Sequence, residues 1–185
     1  MTKPLLFLFC VLLTLPSVGQ EGRKVSVYLG LQGSTTLYDR TLSNNRGGIG
    51  VGLQGWWQTA SIIRPVLELT GETFAGTKEL YLLPDGTPIE AKSTAVNILA
   101  GGALQPGRKF YLSVAAGPSF INGAAHLAVK PAMGYYFSNN GLLGGKVSFT
   151  NVFYKDEVSK ESFGYLSFAL SIKLFDTAPK TTTTN

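Results

Sequence analysis

The sequence predicts an all-β chain, an eight-stranded antiparallel up-and-down transmembrane β-barrel, and three observations lead to this fold class. Eight stretches alternate apolar and polar residues, the connections between them are alternately long and short, and aromatic residues gather at the ends of the stretches. A barrel that crosses a bilayer has short turns at one rim and longer loops at the other. It also carries aromatic side chains at both membrane interfaces.

The predicted strands are defined by this alternation, because successive side chains of a strand point to opposite faces. In the first strand the apolar face consists of Val25, Val27, Leu29 and Leu31. In the last strand it consists of Leu166, Phe168, Leu170, Ile172 and Leu174. The eight predicted strands cover residues 24–33, 47–58, 62–74, 90–104, 108–118, 125–138, 142–153 and 162–175.

The connections between the predicted strands fall into two classes. The turns 59–61, 105–107 and 139–141 are three residues long and contain turn formers such as Pro, Gly, Asn and Ser. The other connections are 34–46, 75–89, 119–124 and 154–161. If the N-terminus starts in the periplasm, the short turns lie at the inner rim and the longer loops at the outer rim.

The N-terminal segment has the features of a secretory signal. Lys3 supplies a charge, residues 5–15 form an apolar run, and small residues at 17–19 provide a cleavage site. The run is about half the length of a spanning helix, so we do not expect an anchor. We therefore predict a signal peptide over 1–19, an outer-membrane barrel over 20–175 and a disordered periplasmic tail over 176–185.

Composition excludes several classes of function. The single cysteine, Cys10, lies inside the signal, so the mature chain has neither disulfides nor a catalytic thiol. The net charge is +5, but no basic cluster with interleaved aromatic residues occurs, and we predict no nucleic-acid partner. With one histidine and no mature cysteine, we also predict no metal site and no cofactor.

Alternation by itself does not say which face of a barrel points inward, since a soluble lipocalin-like barrel has apolar residues inside. Here the polar phase carries charges that can pair across a lumen, whereas the apolar phase is almost uncharged in mid-strand, as contact with lipid requires. The predicted luminal ion-pair network has Glu68, Lys130 and Lys146 at its centre, with Glu72 above them and Arg64 and Lys173 below. Such a network is either a structural plug or a path for protons or ions, and we favour the plug because eight strands enclose little space.

Aromatic residues near the strand ends predict two girdles at the membrane interfaces. The girdle near the inner rim is predicted to contain Trp56, Trp57, Phe110, Tyr111, Tyr135, Tyr136, Phe137 and Phe175. The girdle near the outer rim is predicted to contain Phe74, Phe120, Phe153, Tyr154, Phe163 and Tyr165.

This overall pattern resembles the small outer-membrane β-barrel family of Gram-negative bacteria, of the OmpA/OmpX transmembrane type. The resemblance covers nearly every residue after Gln20 and is carried by the pattern, not by a single motif. It implies a monomer in the outer membrane, surrounded by lipid and lipopolysaccharide and inserted by the barrel-assembly machinery. Family members often end on an aromatic residue that this machinery recognises. Phe175 resembles that residue, but ten residues follow it and it lies in the opposite phase to Leu174.

Three local features need separate interpretations. Residues 50–55 match the dinucleotide motif G-x-G-x-x-G, but Trp56 and a turn follow them where a helix is required. We predict instead that Gly48, Gly50 and Gly52 point inward and make room for neighbouring side chains. Pro131 cannot donate to the ladder, which predicts a bulge or a break in one hydrogen-bond pair. Some outer-membrane lipid A deacylases and palmitoyltransferases use a histidine with a serine. His126 is followed by Ala128 where the deacylases have serine, and we predict no catalytic residue.

Three hypotheses on function follow from the sequence. The favoured one is a non-enzymatic outer-membrane barrel with a side-chain-filled lumen, structural or engaged in surface interaction through its loops. The second is a lipid-modifying outer-membrane enzyme with His126 as base. The third is a secreted soluble barrel that binds an apolar ligand inside.

Overall fold

A computed structural model of the chain describes residues 24–37, 46–59, 61–75, 81–82, 88–89, 93–121, 123–153 and 163–177. The strands in these ranges are β1 (Lys24–Thr36), β2 (Gly47–Gln58), β3 (Ile63–Phe74), β4 (Tyr81–Leu82), β5 (Pro88–Ile89), β6 (Ser93–Leu104), β7 (Phe110–Ile121), β8 (Ala124–Tyr136), β9 (Leu143–Phe153) and β10 (Phe163–Asp176). Within the same ranges, no helix has the length and hydropathy that a membrane span needs.

Eight of these strands form one closed barrel in which every neighbouring pair is antiparallel. Around the barrel the order is β1, β2, β3, β6, β7, β8, β9 and β10, and β10 pairs with β1 to close the ring. The predicted fold class is therefore confirmed. We call the end that carries the short turns the turn rim and the opposite end the loop rim.

Two connections differ from the prediction. The segment between β3 and β6 contains a separate two-stranded sheet, β4 with β5, which the alternation did not indicate because each strand has only two residues. The predicted loop 119–124 is mostly strand: Ile121 of β7 pairs directly with Ala124 of β8. Gly123 adopts a φ of 88°, a conformation that suits the tight turns of β-hairpins and that glycine adopts without strain.

The barrel is apolar outside and polar inside. In β3, Leu67 and Leu69 are each 44% exposed on the outer face. The alternate residues Glu68 and Thr70 are buried in the lumen. Large apolar side chains are exposed on the outer face of the other barrel strands as well. A soluble barrel with an apolar interior has the opposite arrangement, so the outer surface is suited to hydrocarbon and not to water.

The inward glycines Gly48, Gly50 and Gly52 are packing positions, as predicted. A Cβ atom on Gly50 would lie 2.5 Å from the carbonyl oxygen of Gly71, and one on Gly48 would lie 2.7 Å from the Phe74 ring. Strand β2 continues to Gln58, so no helix follows the motif. Missing side chains at these positions let β2 and β3 approach each other closely.

Two irregularities interrupt the regular strand pairing of the barrel. The pairing of β8 with β9 is interrupted at Lys130 and Pro131 without a register shift, which confirms the predicted break in the ladder. The pairing of β1 with β10 shifts by one residue, and Leu174 is the extra residue. This bulge turns both Leu174 and Phe175 to the outer surface, where they are 49% and 54% exposed. The bulge therefore explains why Phe175 lies in the opposite phase to Leu174 in the sequence and still faces outward.

A glycine also permits the close approach of β6 and β7. A Cβ atom on Gly101 would overlap the carbonyl oxygen of Val114, a backbone atom that no side-chain rotation can move away. A Cβ atom on Gly71 would have no atom within 4 Å. We expect Gly101→Ala to lower the free energy of unfolding by about 1–3 kcal/mol and Gly71→Ala to change it by less than about 0.5 kcal/mol. Urea titration of the detergent-folded barrels measures both, and equal values would contradict this packing.

The barrel lumen as candidate functional site

Three layers of the lumen differ in residue type. The turn-rim plug consists of the buried aromatic side chains Tyr28, Trp56, Tyr111 and Tyr136. The charged layer consists of Glu68, Lys130 and Lys146, and the loop-rim plug of Phe74, Phe163 and Tyr165. Each layer is built from side chains of several strands that meet at the barrel axis.

The charged layer is centred on one carboxylate. Glu68 Oε1 lies 2.5 Å from Lys130 Nζ and 2.9 Å from Lys146 Nζ. Strand β3, which carries Glu68, faces β9 across the ring, and β8 is the neighbour of β9, so strand order alone brings these three residues together. All three side chains are almost completely buried, so the two ammonium groups depend on the protein for compensation of their charge.

Glu72 is a further acidic side chain in the lumen. The hydroxyl groups of Ser34 and Ser167 donate hydrogen bonds to Glu72 Oε2. Glu72 is buried two inward positions closer to the loop rim than Glu68, with the buried Thr70 between them. The Glu72 carboxyl group is thus held by hydroxyl groups, whereas Lys130 and Lys146 both contact Glu68.

The two other predicted members of the network lie apart from the charged layer. Arg64 Nη1 donates to Gln58 Oε1 at 2.7 Å and to Gln105 Oε1 at 2.5 Å. Lys173 Nζ donates to the carbonyl oxygen of Asn140 at 2.8 Å and lies 3.3 Å from Asp176 Oδ2. Both lie at the turn rim, below the turn-rim plug. The expectation that they join the network of Glu68 is therefore wrong, although their position below it was predicted.

The predicted girdle residues divide between the outer surface and the lumen. Seven girdle residues lie on the outer surface or near it: Trp57, Phe110, Phe120, Tyr135, Phe137, Phe153 and Phe175. Six others are buried in the lumen as parts of the two plugs, and for these the prediction is wrong: Trp56, Tyr111, Tyr136, Phe74, Phe163 and Tyr165. The predicted Tyr154 lies outside the described residues.

The physical reason is the two-residue period of a strand. Trp56 and Trp57 are neighbours in one strand, as are Tyr135 and Tyr136, so within each pair one ring points outward and the other inward. The sequence contained the signal that separates them. Trp56 shares the phase of the buried Gln54, and Tyr136 shares the phase of the buried Lys130.

The plugs are held together by ring contacts. In the turn-rim plug, the ring centroids of Trp56 and Tyr111 are 4.8 Å apart, and those of Tyr111 and Tyr136 are 5.4 Å apart. Gly134 leaves room for the Tyr111 ring, since a Cβ atom there would overlap it. In the loop-rim plug, the rings of Phe74 and Tyr165 meet edge to face at 5.1 Å. Both ends of the lumen are therefore closed by packed aromatic rings.

His126 is half-buried and lies beside a buried serine. It pairs in register with Ser119 across β7 and β8, which puts a histidine and a serine side by side. Ser119 is 0% exposed, so a lipid substrate has no route to its hydroxyl group. Among the described residues, no group of three His, Cys, Asp or Glu side chains is arranged to hold a metal ion.

The fold and the filled lumen define the class of protein: a small eight-stranded transmembrane β-barrel with a packed interior. No protein-family model and no curated protein matches the chain. Among solved structures, the chain is similar to the crystal structure of Ail, the attachment invasion locus protein of Yersinia pestis. The TM-score is 0.56 at 10% sequence identity, over 85% of this chain and 99% of that chain.

Two further structures of the same Yersinia pestis protein show the same likeness. Ail in a phospholipid bilayer nanodisc matches with a TM-score of 0.52 at 8% identity, over 80% of this chain and 98% of that chain. Ail in complex with the heparin analogue sucrose octasulfate matches with a TM-score of 0.51 at 11% identity, over 85% and 99%. At these identities the likeness shows that the fold is shared.

Proposed function

We propose that this chain is a non-enzymatic outer-membrane β-barrel protein, whose sealed barrel is a scaffold with a structural or surface-interaction role through its loops. The observation that carries this proposal is the inverted polarity of the barrel. Leu69 lies exposed on the outer face, whereas the neighbouring Glu68 is buried against two lysines at the centre. This arrangement is stable only where hydrocarbon surrounds the barrel.

The filled lumen supports the role of a scaffold and argues against the role of a channel. The space beside Glu68 and Lys146 amounts to about 20 Å³, which is room for about one water molecule. Aromatic plugs lie above and below this space, so the described side chains leave no continuous aqueous path. The burial of Ser119 beside His126 likewise supports a protein without hydrolase activity.

The proposed orientation puts the turn rim and both termini in the periplasm and the loops at the cell surface. Lipid then surrounds the apolar outer face, and lipopolysaccharide surrounds the loop rim. Biogenesis would proceed through the barrel-assembly machinery, with the outward-facing Phe175 as the aromatic residue presented by the last strand.

The charges of the loop segments restrict the kind of surface partner. Segments 34–46, 75–89 and 154–161 together carry five basic and six acidic residues. Ail has been crystallised with a heparin analogue, which is a polyanion. The near-neutral loops of this chain do not favour such a partner, and we propose that any partner is contacted by mixed polar and aromatic groups.

Fractionation and electrophoresis test the proposal. We expect the protein in the outer-membrane fraction, and we expect the detergent-folded barrel to migrate differently on gels before and after heating. Planar bilayers that contain the folded protein are expected to show no steady conductance. Recovery of folded protein from the soluble periplasm without detergent would overturn the membrane location, and a large steady conductance would overturn the sealed lumen.

A further inference from the structure

An open polar cavity lies at the turn rim, and the scaffold role does not use it. Its volume is about 400 Å³, and its lining includes Tyr28, Arg64, Arg108, Tyr136 and Lys173. We propose that this cavity binds a small water-soluble phosphate ester. The proposal concerns the cavity itself and does not depend on which side of the membrane the turn rim faces.

The cavity is positively charged. Arg64, Arg108 and Lys173 contribute three cationic side chains, and no carboxylate belongs to the residues that line it. Asp176 lies beside the cavity, where it contacts Lys173 at 3.3 Å and Lys24 at 2.9 Å. Asp176 is thus shared with a lysine outside the cavity, and the cavity retains an excess of positive charge that attracts an anion.

Two of the three cations are held in place before any ligand arrives. Arg64 is fixed by the side-chain oxygens of Gln58 and Gln105. Lys173 is held by the Asn140 carbonyl oxygen and lies with its Nζ 6.0 Å from the centre of the Tyr28 ring. Donors that are already ordered lose little conformational entropy on binding, which favours affinity for an anion.

The chemistry and size of the cavity indicate the ligand class. A guanidinium group presents a planar fork of donors that matches phosphate oxygens, and a lysine adds a point charge. The rings of Tyr28 and Tyr136 offer an apolar wall to a carbon skeleton. A volume of about 400 Å³ is typical of small-molecule sites and larger than a bare phosphate ion fills. These features favour a phosphate ester over inorganic phosphate.

The position of the cavity favours a soluble ligand over a lipid headgroup. It lies between the turns of the barrel and the turn-rim plug, and its lining comes from inward-facing side chains and from turns. The strands therefore separate it from the hydrocarbon that surrounds the barrel. A lipid headgroup would have to leave the bilayer plane and cross the rim to reach Arg64.

Calorimetric titration of the full chain with glycerol 3-phosphate tests this proposal, in a maltoside detergent that itself carries no phosphate. We expect saturable binding of one ligand per chain. Arg64→Gln removes a charge-assisted hydrogen bond and should weaken binding about 10- to 100-fold. Lys24→Gln removes the same charge from the same rim but outside the cavity, and should weaken binding less than about threefold.

A second variant and two further probes complete the test. Arg108→Gln changes an exposed turn residue without removing a buried contact, so it should fold normally and also weaken binding. Absence of saturable binding, or equal losses in Arg64→Gln and Lys24→Gln, would overturn the site. If inorganic phosphate bound as tightly as glycerol 3-phosphate, the proposal that the ligand is a phosphate ester would be wrong. The same titration in nanodiscs compares phosphatidylcholine alone with phosphatidylcholine that contains phosphatidylglycerol. If phosphatidylglycerol abolished the binding of glycerol 3-phosphate, a lipid headgroup would occupy the cavity, and the proposal of a soluble ligand would be wrong.

Discussion

Glu68→Gln is expected to lower the free energy of unfolding of the barrel by about 3–5 kcal/mol. The substitution preserves the shape of the side chain and removes the only carboxylate that contacts both Lys130 and Lys146 among the described residues. Two buried ammonium groups then lose the charge that compensates them, and water cannot replace it because the plugs close the lumen. Urea titration of the barrel folded in detergent or in vesicles measures the effect.

Asp176→Asn is the matched control for this prediction. Asp176 also contacts two lysines, Lys24 and Lys173, but at the turn rim, where its side chain is 26% exposed. Because exposed ion pairs contribute little, this variant should lose no more than about 1 kcal/mol. The same chemistry in two environments thus isolates the effect of burial. Similar losses in the two variants would show that the charged layer is accessible to water.

A triple variant separates the charge from the packing. Replacing Glu68 by Leu and both Lys130 and Lys146 by Met removes every charge of the layer while keeping similar volumes. Buried ion pairs that are replaced as a set by apolar residues often leave stability unchanged or higher. We therefore expect the triple variant to recover most of the stability that Glu68→Gln loses. A triple variant as unstable as Glu68→Gln would mean that side-chain shape, and not charge, dominates the lumen.

Much of the fold could be predicted because a barrel repeats simple rules. Alternation defines the strands, and the contrast between turns and loops defines the two rims. The charged layer also follows from the sequence, because strand order fixes which inward positions face each other. Glu68 and Lys146 come from strands on opposite sides of the ring, and Lys130 from the strand beside β9.

The features that could not be predicted break these rules locally. The bulge at Leu174 changes the phase within β10, so a count of alternate residues places Phe175 on the wrong face. The turn-rim cavity depends on side chains that are far apart in the chain, such as Arg64 and Lys173, and on the way the turns fold over the rim. The sequence predicts both residues below the charged layer, but it does not show that a cavity forms between them.

The aromatic residues of the plugs differ from those of the girdles in the phase of their strands. An aromatic residue near a strand end belongs to a girdle only if it shares the apolar phase of its strand. Tyr111 shares the phase of the buried Ser113, and it lies in the lumen. Phase and depth together, and not depth alone, separate an interface aromatic from a plug aromatic.

The apolar outer face makes a prediction about depth in the membrane. Leu69 and Ile63 lie on the outer face of β3, the first near the middle of the strand and the second at its turn-rim end. An arginine on the lipid face of a barrel destabilises it by about 2–4 kcal/mol at the bilayer midplane and by about 0–1 kcal/mol near an interface. We therefore expect Leu69→Arg to lower the free energy of unfolding in lipid vesicles several times more than Ile63→Arg does.

The comparison of these two variants also tests whether a bilayer covers the exposed apolar residues. Both substitutions place the same charged side chain on the same face of one strand, and Leu69 and Ile63 are both exposed, at 44% and 59%. In water neither position would penalise an arginine, because surface substitutions usually change stability by less than about 0.5 kcal/mol. A difference that depends on depth requires a hydrocarbon layer that covers Leu69 and leaves Ile63 close to its edge. Equal effects at the two positions would contradict a barrel that spans the membrane with β3 across it.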